Sequence, residues 1–169
     1  MKRVLIILLV VAGGIGTLLC GGLVYVASEG PDTFVVPGSQ MDRSHARTVR
    51  DLGLIEDDEE IQYFYSDALL DIREGMYFIT DEKLVLYCDS WEEPAAVAPY
   101  NSIVNLDAVW NDSFFVDSTF QITLDDGEVW TFPVSSERGL DRVFYEYIEE
   151  RIQEPAPRRR RRGGAAQGR

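Results

Sequence analysis

Histidine and cysteine are scarce: the chain of 169 residues has one of the first, His45, and two of the second, Cys20 and Cys88. Zinc centres draw on several such ligands, and the chain beyond its leading apolar run offers one of each, too few for such a site. Cys20 falls inside that run and Cys88 far outside it, which leaves no disulfide framework. No nucleophile motif lies near His45, so a serine or cysteine triad cannot be assembled. Glycine-rich phosphate loops are missing as well. Basic residues are the next shortage. Between Glu29 and Glu154 stand all 29 acids but only 8 bases, a formal charge of −21, and such a surface repels nucleic acid and anionic lipid. Carboxylates are so abundant that their pairing carries no catalytic information. We therefore expect no enzymatic activity and no cofactor.

What the sequence does have is an unbroken apolar run from Val4 to Val26 without a charge. At about 1.5 Å per residue it reaches roughly 34 Å, enough to cross a hydrocarbon layer of about 30 Å. Residues 1–3 carry Lys2 and Arg3 and Tyr25 sits near the far end, so the positive-inside tendency places the N-terminus in the cytoplasm and the rest outside. An export signal cleaved near Ser28 is the competing reading, although the apolar core exceeds the 7 to 15 residues usual for such peptides. Within the run, Gly13, Thr17 and Gly21 recur at four-residue spacing. Such a flank lets two spanning helices pack closely into a homodimer, the competing reading being that glycine is common in membrane helices.

Residues 27–40 read as a stalk, although Val35 and Val36 could pack back onto the domain, and residues 41–56 as a short helix with a linker. Asp42 or Ser44 can cap that helix, and Gly53 can end it in a left-handed conformation before apolar Leu54. Asp57-Asp58-Glu59-Glu60 reads as a solvated turn, because four consecutive acids cannot converge on one ion. Short strands follow over Ile61–Tyr65, Tyr77–Thr80 and Lys83–Cys88. Pairing Ile79 with Leu84 across the Asp81-Glu82 turn puts Tyr77, Ile79, Leu84 and Leu86 on one face. Phe120–Leu124 alternates cleanly and returns as Glu128–Val134. A three-residue turn with Gly127 left-handed pairs Ile122 with Trp130 and Phe120 with Phe132, whereas a two-residue turn would set Ile122 against Thr131; we favour the longer turn. A closing helix over residues 139–153 carries an apolar stripe of Leu140, Val143, Phe144, Tyr147, Ile148 and Ile152. Ser135 and Ser136 are its capping candidates, and Asp141, Arg142, Glu146, Glu149 and Glu150 are assigned to its polar face. Residues 155–169 form an arginine-rich tail that cannot bury a core.

Several of these stretches carry a resemblance: Glu60-Ile61-x-Tyr63, the Gly75 to Thr80 lead into Lys83-Leu84-Val85, Pro99-Tyr100-Asn101-Ser102-Ile103 before a strand, and the closing helix. Together they resemble the pleckstrin-homology superfold in its bacterial versions, over residues 57–154. The resemblance implies a half-open barrel of about seven antiparallel strands plugged by the C-terminal helix, behind the N-terminal transmembrane helix, with a generic sheet-and-helix domain as the alternative. It also implies binding or scaffolding in place of catalysis. Eukaryotic members often hold phosphoinositides through basic residues between their first two strands. Here the segment Ser66 to Glu74 has Arg73 alone among three acids, so phosphoinositide binding is not carried over.

A protein partner is expected instead, with Trp91, Trp110 and Phe115 as anchors. Core burial is the competing reading for each, and Trp91, followed by Glu92-Glu93-Pro94, is the strongest candidate for exposure. Arg158, Arg159, Arg160, Arg161 and Arg162 form an electrostatic tail suited to a membrane surface, an acidic polymer or the acidic domain of a neighbouring copy; a merely solubilising tail is the competing reading. Two other functions remain in play: a secreted acidic binding protein after cleavage, and a membrane-bound hydrolase using acidic residues, which would need a deep pocket holding two carboxylates of well-separated pKa.

Overall fold

The computed structural model describes residues 34–112 and 116–154. Expectations that fall on Gly13, Thr17, Gly21, Phe115 and Arg158–Arg162, like the apolar run itself, lie outside those residues. Among the described residues no helix is long and apolar enough to cross a membrane.

Among the described residues, eight strands and two α-helices follow one another as β1 (Val36–Pro37), α1 (Arg43–Asp51), β2 (Ile61–Ser66), β3 (Met76–Thr80), β4 (Lys83–Tyr87), β5 (Ala95–Pro99), β6 (Ile103–Val109), β7 (Ser118–Leu124), β8 (Val129–Val134) and α2 (Leu140–Gln153). The strands make two antiparallel sheets, ordered β1-β2-β3-β4-β5 and β6-β7-β8. Turn chemistry sets the registers. Ile79 faces Leu84 across the β3–β4 turn. In the second sheet Ile122 faces Trp130 and Phe120 faces Phe132, with Gly127 at φ +91° and its N–H donating to the Leu124 carbonyl at 3.0 Å. This is the longer turn: a left-handed residue is needed where glycine stands.

Tyr77, Ile79, Leu84 and Leu86 point into a core shared with Phe120, Ile122 and Phe132 of the second sheet, and α2 closes it with Phe144 and Ile148, both fully buried. Each of these two side chains contributes about 1.5–3 kcal/mol by leaving water. The alternate residues of the first sheet are buried as well. Phe64, Met76, Phe78 and Val85 pack under Val36, Met41, Val49 and Leu54, so the sheet is covered on both faces and β3 and β4 read as continuous apolar runs.

The second layer is built from the residues that precede β2. Residues 34–56 belong to the same folded unit as 57–154: Val35 and Val36 are buried, β1 pairs with β2, and α1 roofs the outer face. Asp42 caps α1, its carboxylate accepting from the Ser44 N–H at 2.7 Å. At the other end Gly53 (φ +68°) donates to the Arg50 carbonyl and Leu54 to that of Val49, paired bonds that satisfy otherwise orphaned carbonyls.

Three expectations are corrected. Neither Ser135 nor Ser136 caps α2; Gly139, at φ +67°, takes the cap position and no side chain bonds there. Asp141 is not on the solvent face but buried, accepting from Ser118 Oγ at 2.7 Å. Glu59 is not part of a solvated turn: it is 4% exposed and meets Lys83 Nζ at 2.9 Å while accepting from the Glu56 N–H.

Candidate functional site

Strand polarity gathers three connections at one end of the sheet pair. Ser66 faces Met76 and Met76 faces Tyr87, which sets the 67–75 and 88–94 loops side by side. The Asp89 N–H donates to the Arg73 carbonyl at 2.8 Å and Cys88 Sγ to that of Glu74 at 2.9 Å, tying the two loops together. The β6–β7 connection joins them through the Tyr65 hydroxyl, which donates to Asp117 Oδ2 at 2.6 Å. Next to it the Tyr77 hydroxyl donates to Asp67 Oδ2 at 3.0 Å, and the two phenol rings stack 6.0 Å apart.

Burial, and then the adjoining carboxylates, push the Tyr65 and Tyr77 phenols well above the usual tyrosine range, so both remain donors. Burial likewise raises Asp67, against the lowering effect of its Tyr77 hydrogen bond. The carboxylates are thus held by fixed donors, which is the chemistry of a braced scaffold.

Six of the ten large apolar side chains exposed among the described residues belong to this end: Leu69, Leu70, Trp91, Val109, Trp110 and Val116. Leu69 is 65% exposed and Val109 74%. Around them the three connections carry eight acids and one base, Arg73, whose guanidinium is engaged by Asp71 at 2.5 Å. Apolar patches in a polar frame mark protein interaction sites.

The two described aromatic candidates differ in how they are held. Trp110, 37% exposed, packs edge-on against Tyr145 and Phe120 with ring centroids 5.1 and 5.6 Å away, and Arg142 lies 4.4 Å over its ring. Trp91, 40% exposed, is fixed through its backbone, its N–H donating to the Cys88 carbonyl. Sequence reasoning missed Leu69, Leu70, Val109 and Val116. The signal for the first two was present: an apolar pair between Asp67 and Asp71, in a stretch with no strand or helix period to bury it.

His45, half-buried in α1, stacks on Phe64 at 6.0 Å, a packing role. Among the described residues no group of three or more histidine, cysteine, aspartate or glutamate side chains is placed to hold a metal ion. A cleft of about 500 Å³ lies elsewhere, between the Gly38–Gln40 turn, α1 and β2. Its described lining includes one carboxylate, Glu60, and one cation, Arg50.

No family model and no curated protein matches the chain. Solved structures similar to it include two from Shewanella species. One is a DUF1696-family protein with a pleckstrin-homology domain from Shewanella loihica PV-4, with a TM-score of 0.49 and 13% identity over 73% of this chain and 99% of that one. The other is a pleckstrin homology domain from Shewanella amazonensis SB2B, with a TM-score of 0.48 and 15% identity over 68% and 91% of the two chains.

Proposed function

We propose that this chain is a single-pass membrane protein whose N-terminus faces the cytoplasm and whose folded part is a non-catalytic, pleckstrin-homology-like module that engages a protein partner. The anchor reading rests on the uncharged run from Val4 to Val26. The partner reading rests on one observation above all: exposed apolar side chains cluster at the three-loop end, inside a frame of eight acids. An anionic lipid headgroup meets repulsion there, and the nearest guanidinium, Arg73, is already engaged by Asp71, so a phosphoinositide is not the ligand. A protein surface with apolar side chains and cations fits both features.

Photo-crosslinking residues placed singly at positions 69, 91 and 116 of the full chain in native membranes should yield discrete protein adducts. The same residue at Gln121 or Thr131, exposed on the second sheet, should yield none. Adducts of equal abundance at all five positions, or lipid adducts alone at the three-loop end, would overturn the reading.

A further inference from the structure

The three-loop end already contains one seat for an arginine. The Arg142 guanidinium lies 4.4 Å over the Trp110 ring, with Asp112 Oδ1 3.7 Å from its Nη2. An aromatic face plus a carboxylate is what a planar, weakly hydrated cation binds best. Trp91 repeats the components: an exposed indole followed by exposed Glu92 and Glu93. Among the described residues, however, nothing fills this second seat. Neither Trp91 nor the two glutamates has a ring, cation or ion-pair contact there. The backbone beneath is braced, with the Cys88 N–H donating to the Pro94 carbonyl at 2.9 Å, so binding would order little that is not already ordered.

We propose that the arginine run Arg158–Arg162 of one copy docks on Trp91, Glu92 and Glu93 of a second copy. This deepens the protein-partner reading, on which it rests, by naming the partner as this same chain. The arginine run supplies five adjacent guanidinium groups, the complement of a surface with one base among eight acids.

Geometry favours a contact between copies over one within a chain. α2 starts at the three-loop end, where Asp141 meets Ser118 at the beginning of β7. It finishes at the other end, where the Arg151 guanidinium bonds the Asp81 carbonyl in the β3–β4 turn. Its 14 residues span about 21 Å. Arg158 stands four residues beyond Glu154 and reaches at most about 14 Å, and Arg162, eight residues beyond, about 28 Å, so only the far end of the run, drawn out nearly straight, could return to its own Trp91. A second copy meets no such limit, and the resulting contact is head-to-tail.

Sedimentation velocity of the full chain in a neutral detergent, over a range of protein and salt concentrations, tests the proposal. Self-association should weaken with salt and fall by about tenfold when all five arginines are replaced by serine. It should fall similarly for Trp91→Ala and for Glu92→Lys combined with Glu93→Lys. Adding glutamates at positions 158–162 to the Glu92→Lys, Glu93→Lys chain should restore association by swapping the charges. Trp91, Glu92 and Glu93 are exposed, and unchanged circular dichroism verifies the fold.

Association that survives the serine replacement at every salt concentration overturns the proposal and assigns self-contact to the spanning segment. Loss of association on removing Arg43, Arg47 and Arg50 but not the tail arginines overturns it in favour of α1. A chain monomeric at all concentrations, with its tail protected from trypsin, overturns it in favour of a contact in cis. Crosslinks from position 91 to a different protein, with no self-association, overturn this inference while the partner reading stands. An absence of any protein adduct at that end removes both.

Discussion

Asp141 shows how much one angle decides. At about 100° per residue it falls between Ile148 and Ile152 on α2, inside the apolar stripe, although its charge suggests the opposite face. The structure makes that burial tolerable in two ways: the residue lies in the first turn of α2, where backbone N–H groups favour an anion, and Ser118 Oγ donates to it at 2.7 Å. Ser118→Ala should therefore cost about 1–3 kcal/mol in urea unfolding, while Thr119→Ala, exposed one residue along the same strand, stays within about 0.5 kcal/mol. Glu59 was illegible for a different reason. Nothing in an acidic run says which carboxylate meets a lysine 24 positions on, and Lys83 selects it only once β4 is in place. Asp67 makes a prediction in pH. Burial holds its carboxyl above the ordinary 3.8, so the folded state binds the proton more tightly than the unfolded chain. The resulting cost to stability is absent below pH 3.8, grows as pH rises through the folded pKa, and is complete above it. Asp67→Asn keeps an acceptor for the Tyr77 hydroxyl and should stabilise the protein at neutral pH, by less than about 1 kcal/mol because the residue is only partly buried and water screens it. That gain should vanish in acid, and a pH series of urea midpoints checks it.

At the scale of elements, what was local in sequence was legible and what depended on distant partners was not. The β3–β4 and β7–β8 registers follow from alternation plus turn chemistry, and both are found as read. The α1 terminators, Asp42 and Gly53, are likewise local signals. The roof over the outer face was not read, because its apolar residues Val36, Met41, Val49, Leu54 and Ile55 are spread over 20 positions with no single period. Its trace was in the covered strands: Met76 to Thr80 and Leu84 to Tyr87 are buried throughout, where a half-exposed sheet would alternate. A fragment of residues 57–154 lacks that roof and exposes Phe64, Phe78 and Val85. It should aggregate or lose its cooperative urea transition, whereas a fragment of residues 34–154 unfolds in one step. A cooperative and equally stable shorter fragment would show that α1 is an accessory.

For the whole molecule, charge and apolar exposure are segregated in a way the composition conceals. The exposed apolar side chains concentrate at one end, among carboxylates, while three exposed arginines, Arg43, Arg47 and Arg50, line up on α1. Trp91 and Trp110 stand out in the sequence because they lie beside acids and strand ends with few apolar neighbours; that both sit at one end emerged from strand polarity. How this module meets its partner depends on where it is held, and that rests on the run from Val4 to Val26. The decisive measurement is alkaline carbonate extraction of native membranes followed by intact mass of the extracted and retained chain. The account expects the chain to remain in the membrane pellet with its first residues still attached. A chain of that same intact mass in the soluble fraction, or a mature form shortened by about 28 residues, would contradict it.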